Sequence, residues 1–144
     1  MGACNSGGKG ASVSKGLSSR LSKIQVDDRW AYQPDDTTDL NDLRKNPIPY
    51  VGIENEYDIG NALENETVQQ GYVSDYEIPI SKLETLQPFV LASGIDNYKS
   101  WDDTERPYVA EYKGRYFLLD GNHRTAIAKL QGKKTIKVDL SIRK

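Results

Sequence analysis

Cysteine occurs once in the 144 residues, at Cys4, and histidine once, at His123. A lone thiol excludes an internal disulfide and a cysteine-based zinc site, and with one imidazole a transition-metal cage is excluded too. An oxygen-ligated Mg²⁺ survives both shortages. Long apolar runs are also missing. No stretch reaches the roughly 18 residues that a membrane span needs, and no signal-peptide core is visible. The expected location is therefore the cytoplasm. The hydrophobic fraction is 37% and the mean hydropathy −0.67. Both are low for a chain packed throughout, so part of it is expected to lie outside a core.

Acidic residues are absent from one region and crowded into another. Residues 1–26 hold no acid and carry a net charge of +4, residues 27–105 carry −13, and residues 106–144 carry +7. A basic last third suits a phosphate-bearing ligand. The acidic middle would repel long nucleic acid, so the overall charge does not argue for DNA binding.

Three segments follow from these contrasts. Residues 1–26, "MGACNSGGKGASVSKGLSSRLSKIQV", are rich in Gly, Ser and Lys and read as a flexible tail. The opening "MGACNS" fits an N-myristoylation pattern, with Cys4 placed for a second acyl chain. Membrane contact is expected only if Gly2 is lipidated. Residues 27–71 read as an acidic helical extension. In it, Thr38 caps a short helix stopped by Pro47. "ENEYDIGNALENETVQQG" forms another, with Ile59, Ala62 and Leu63 on one face and its end at Gly71.

Residues 72–144 read as the compact domain. "YEIPI" places Tyr76, Ile78 and Ile80 in phase as a strand, and Pro79 assigns it to a sheet edge. Ser81 and Glu84 in "SKLE" form a capping box for a short helical turn. "FVLASGIDNYKSW" reads as a helix broken at Gly94. "YVAEYKGRYFLL" is a hairpin turning at Lys113-Gly114, its second arm covered on both faces. "NHRTAIAKLQG" is a helix with Ala126, Ile127 and Leu130 inward and Gly132 closing it. "TIKVDLSI" alternates strictly, with Ile136, Val138, Leu140 and Ile142 on one face.

The five residues "DGNHR", Asp120 to Arg124, stand between that covered strand and the helix after it. Gly121 permits an unusual backbone angle, and the helix begins at Asn122 or His123. Amides at a helix N-terminus, with the positive end of its dipole, attract anions. Gly121, Asn122, His123 and Arg124 are the candidate phosphate-binding residues, and Arg124 can add a bidentate clamp. His123 can donate to phosphate or shuttle a proton. Asp120 is the candidate general base or Mg²⁺ ligand, so Asp120 and His123 form the candidate catalytic pair. Glu77 and Glu111 are candidate assisting carboxylates. The same five residues also read as a plain polar turn, with Asn122 capping and Arg124 paired to a surface acid.

"RYFLLDGNHRTAIAKLQGKKTIKVDL", preceded by "YEIPISKLETLQP" and "RPYVAEYKG", resembles the ParB/sulfiredoxin superfamily over about residues 72–144. The resemblance implies a small α/β (α+β) mixed sheet in which the helix after the motif binds nucleotide phosphates through Gly121, His123 and Arg124. Sulfiredoxins carry a catalytic cysteine directly after the motif glycine; Asn122 stands there, which removes the reductase reading. Chromosome-partitioning members add a helix-turn-helix domain, and none is seen downstream. The branches left are kinase-, NTPase- and nuclease-like, many of them in phages and plasmids. The expectation is thus a nucleotide-binding enzyme of phosphoryl transfer or phosphate-ester hydrolysis, with Mg²⁺ as cofactor. Two rivals stand beside it. One is a non-catalytic binding module for a phosphorylated small molecule or a basic protein. The other is a DNA-associated protein, whose binding would fall steeply with salt.

Overall fold

The structure, a computed structural model, describes residues 9–24, 31–32, 46–91 and 105–144. In chain order its elements are α1 (Lys9–Lys23), β1 (Ala31–Tyr32), α2 (Ile53–Asn65), β2 (Gln69–Pro79), a 3₁₀ turn (Ile80–Lys82), β3 (Leu83–Thr85), β4 (Phe89–Val90), β5 (Tyr108–Tyr112), β6 (Arg115–Asp120), α3 (Asn122–Leu130) and β7 (Thr135–Arg143). The hairpin β5–β6 turns on Lys113 and Gly114, with φ of 51° and 78°. These are the left-handed angles of a tight turn whose twist matches the flanking strands. The main sheet runs β2-β7-β5-β6-β3. β2 is antiparallel to β7, β7 parallel to β5, β5 antiparallel to β6, and β6 parallel to β3. A small α/β fold with a mixed five-stranded sheet results, as the sequence led us to expect.

Period-two alternation divides each central strand between two layers. Val109, Leu118, Ile136, Val138 and Leu140 pack against Ala126, Ile127 and Ala128 of α3. On the opposite face, Ala110, Tyr112 and Phe117 pack with Leu17, Leu21, Ile59, Ala62 and Leu63 of α1 and α2. The sheet is therefore covered by helix on both sides. β2 lies at one edge, where Pro79 costs no ladder bond. The edge at β3 is covered by the segment before α2: Thr85 N–H donates to Pro49 O at 2.8 Å, and Val51 N–H to Thr85 O at 3.1 Å.

Several expectations need correction. Residues 9–23 are helical, not a flexible tail, with Leu17 fully buried and Leu21 nearly so. The reason is a stripe at i, i+4 and i+7, Leu17, Leu21 and Ile24, which supplies an apolar face that bulk composition hides. Arg20 anchors the same helix to α2, reaching both oxygens of Glu66 at 3.0 Å and Asp58 at 3.1 Å. α2 buries Ile59, Ala62 and Leu63 as expected, but it ends at Asn65, and β2 starts at Gln69 rather than beyond Gly71. The boundary expected at Tyr72 thus falls inside a strand. Ser81–Glu84 is not a helix cap. The chain makes only a 3₁₀ turn there and re-enters the sheet as β3, because Leu83 and Thr85 bury on alternate residues. Phe89–Val90 is extended and pairs in parallel with Ala31–Tyr32, not helical. The helix expected after Thr38, the Gly94 break and the "MGACNS" pattern lie outside the described residues.

Leu17→Ala is expected to lower unfolding stability by about 2–4 kcal/mol, the usual cost of truncating a buried leucine. Urea denaturation measures it. A loss below about 0.5 kcal/mol, the range of surface substitutions, would mean that α1 is not docked.

Candidate functional site

Strand β6, buried at Phe117 and Leu118, ends at Asp120, which is exposed, and α3 starts two residues later. Between them Gly121 takes φ 92° and ψ 29°. A Cβ there would meet Pro107 Cα and Cβ at 2.7 Å. Left-handed dihedrals and contact with a neighbouring backbone both exclude a larger residue at this point. Thr125 secures the first turn of α3, its N–H and hydroxyl both donating to Gly121 O, at 3.0 and 2.9 Å.

Three side chains then set the surroundings of the turn. Asn122 is buried, accepting from the Thr85 hydroxyl at 2.5 Å and donating to Gln87 Oε1 at 3.3 Å. His123 Nε2 accepts from Leu91 N–H at 3.0 Å. Arg124, 14% exposed, forms an ion pair through Nη2 with Glu105, which is 65% exposed. The stretch Thr85–Leu91 thereby wraps the start of α3. Gln87 and Asp120 to Arg124 line a shallow, polar cleft of about 80 Å³.

Asp120, Gly121, His123 and Arg124, neighbours in the chain, all border the cleft. Asn122 behaves otherwise. Its side chain is a strut to β3, so only its backbone N–H remains as a contribution to anion binding. Asp120 Oδ1 accepts from Gly121 N–H at 2.9 Å, closing the turn on itself. Arg124 is engaged by an acid, the arrangement of the plain-turn alternative, although that acid is exposed. Glu111 sits opposite Tyr116 in the hairpin, three residues from the Tyr108–Asp120 pair and so about 10 Å along the strand. Glu77 lies on β2 and accepts from the Thr135 hydroxyl at 2.8 Å. Neither carboxylate lines the cleft. Gln87 and Glu105 were not legible as partners, since a lone Gln and a lone Glu in connecting chain carry no periodic signal.

Burial holds the His123 pKa below its ordinary value. The imidazole is therefore neutral at pH 7, and Arg124 is the standing cation of the cleft. Among the described residues no group of three His, Cys, Asp or Glu side chains could hold a metal ion. A Mg²⁺ at Asp120 would fit only in the manner common for that ion, with one carboxylate and the remaining ligands from phosphate and water. No helix among the described residues is long and apolar enough to cross a membrane. Neither family profiles, nor curated protein sequences, nor solved structures give a match to this chain.

Gly121→Ala is expected to cost about 3 kcal/mol, combining roughly 1–2 kcal/mol of left-handed strain with crowding against Pro107. Gly114→Ala provides the contrast. It also sits at positive φ, but nothing lies within 4 Å of its added Cβ, so only the strain should appear. Equal losses at the two positions in urea titrations would refute the close approach at Pro107.

The depressed His123 pKa predicts a pH effect with a definite sign. Below the unfolded value of about 6.5 the unfolded chain takes up a proton more readily than the folded one. Stability is then lost as pH falls through the folded pKa. Chemical denaturation between pH 7.5 and pH 5 should show this decline, and His123→Gln should flatten it. An unchanged profile in the variant would assign the decline to other groups.

Proposed function

We propose that the cleft at the start of α3 binds the phosphate of a nucleotide or a phosphorylated small molecule, and that Asp120 turns this binding into phosphoryl transfer or phosphate-ester hydrolysis. The observation that carries the reading is that Asp120 and Arg124 border one polar cleft at the start of α3, with Gly121 drawn tightly against Pro107. The first-turn amides of α3 and its dipole favour an anion. Arg124 is held by packing, while its partner Glu105 is well exposed and exchangeable. An arriving phosphate offers Arg124 a bidentate acceptor in place of that carboxylate.

A carboxylate beside an anion site opposes plain anion binding. It is useful if it accepts a proton from an attacking hydroxyl or water, or helps to hold a cation. Mg²⁺, when bound with the phosphate, would neutralise charge that develops on the transferred group. His123, neutral at pH 7, suits hydrogen bonding better than standing charge compensation. The resemblance to the ParB/sulfiredoxin superfamily supports the same reading, since its motif helix grips nucleotide phosphates. A second reading, a binding module without turnover, is favoured by the Asp120 Oδ1 bond to Gly121 N–H. In it the carboxylate serves the turn alone.

A thermal-shift panel of nucleotides with and without Mg²⁺ tests binding, because a ligand specific to the folded state raises its stability. Arg124→Ala should weaken binding by about 1.5–3 kcal/mol, the scale of charged hydrogen bonds. Asp120→Asn separates the two readings: an enzyme keeps its affinity and loses turnover by orders of magnitude. Unchanged affinity in folded Arg124→Ala would remove the phosphate site. Full turnover in Asp120→Asn would remove the catalytic role.

A further inference from the structure

A second and larger cavity, about 320 Å³, lies on the other face of the sheet between α2 and strands β5, β6 and β7. Its lining combines the apolar residues Leu63, Ala110 and Leu119 with Tyr108, Glu64 and Arg143. The volume is at the lower end of the range for small-molecule sites, which are mostly apolar with a few placed polar groups.

Two features of this lining bear on what the cavity can hold. The first is Gly60, in the middle of α2. Glycine inside a helix is destabilising relative to alanine, and Gly60 has no positive φ to justify it. Close packing does not require it either. A Cβ at Gly60 would meet a single heavy atom within 4 Å, Leu86 Cδ1 at 3.6 Å, which is ordinary contact. What the missing Cβ does provide is open space in the cavity.

The second feature is the charge of Arg143. Its hydrogen bonds go to Thr67 Oγ1 (3.0 Å), Leu63 O and Thr67 O (both 3.1 Å) and Ser141 Oγ (3.4 Å). These acceptors are all neutral oxygens. Among the described residues no carboxylate pairs with this half-buried guanidinium, and Glu64 on the same rim does not reach it. These bonds take four of the five N–H donors and tie Arg143 to the end of α2, leaving one Nη1 N–H; a guanidinium forms its strongest bonds with anionic oxygens. A partly buried cation facing an apolar cavity is suited to a ligand with an apolar body and one anionic group.

We infer that this cavity is a binding site for a small carboxylate with an aromatic or short aliphatic body, its anionic end at Arg143 and its body on Leu63, Ala110, Leu119 and Tyr108. Glu64 is exposed at the mouth, where solvent screens its repulsion. The site does not depend on the phosphate reading of the α3 cleft, which lies on the opposite sheet face. The two are nevertheless close along the chain, because Leu119 precedes Asp120 and Tyr108 is its register partner.

The test uses the full chain with benzoate and hexanoate as probes, and benzamide and hexanamide as uncharged counterparts. Thermal shift and amide NMR titration read binding. Both carboxylates should raise the melting temperature with increasing concentration and shift resonances around Leu63, Tyr108 and Leu119, while the amides do so at least tenfold more weakly. Gly60→Leu, which fills the cavity, should abolish the response. Gly60→Ala, which only narrows it, should melt higher than the parent without ligand yet bind more weakly. Glu64→Gln should bind as well as the parent or better. The inference fails if no carboxylate binds up to its solubility limit, or if the amides bind equally. It fails also if Gly60→Ala leaves affinity unchanged, or if that variant is less stable than the parent, since the glycine would then be a folding requirement.

Discussion

The contact between Gly121 and Pro107 is the constraint on which the arrangement of the candidate site rests. It lets the chain leave β6 at a left-handed angle and begin a helix at once, close against the strand beside it. Pro107 is fixed in turn, because its carbonyl accepts from Asp139 N–H at 2.9 Å on β7. Three adjacent strands and one helix therefore meet around a residue without a side chain. A Cβ would push α3 away from the sheet. Ala126, Ile127 and Ala128 would lose contact with the core, and the cleft would lose its floor. Small shifts at such a point spread because close-packed interiors transmit strain.

A second fixed point holds the opposite layer. Arg115 donates through Nε and Nη2 to the two oxygens of Glu84, at 2.8 and 2.5 Å, and through Nη1 to Leu21 O at 2.7 Å. Its guanidinium lies 5.1 Å from the centre of the Phe117 ring. One side chain thus joins β6, β3 and the last turn of α1. The Leu21 carbonyl, which also accepts from Ile24 N–H at 3.3 Å, gains a second donor at the end of α1, where a cation is favourable. Mostly buried ion pairs contribute little net stability, since desolvation offsets attraction. The value of this one is positional: β3 is held where Thr85 can reach Asn122, so α3 and α1 are coupled through a single short strand.

Legibility in the sequence followed periodicity. The hairpin, α3 and β7 could be read because each keeps one period long enough to define a face, and because Gly114 and Gly132 mark their turns with positive φ. α2 could be read for its buried face but not for its end, since the chain from Glu66 onward is polar and only pairing with β7 makes it a strand. α1 was missed because serine and glycine surround its leucines. Its stability is tertiary, supplied by the layer it docks on rather than by helix propensity. The short strands β3 and β4 could not be read at all, for two or three residues carry no period. Within the site, the Asp-Gly-Asn-His-Arg run gave the location. It did not give the division of labour, because that depends on Thr85, Gln87, Leu91 and Glu105, which reach the motif from elsewhere in the chain.

The two glycines that border the cavities show how function separates from folding in such a chain. Gly121 is demanded by backbone angle and by contact, so its presence alone says nothing about ligands. What makes its neighbourhood a candidate site is the charge placed around it, a mostly buried Arg124 and an exposed Asp120 at a helix end. Gly60 is the reverse case. Neither angle nor contact demands it, and a helix would be steadier without it. Local choices that oppose the fold with no compensating packing are where function is expected to be found, since consistency elsewhere is what specifies the structure. By that logic the cleft rests on chemistry added to an obligatory turn, and the larger cavity on a stability sacrifice that keeps space open. The two are independent lines of argument, and they converge on one end of the sheet, where Leu119 and Asp120 face opposite layers from adjacent positions.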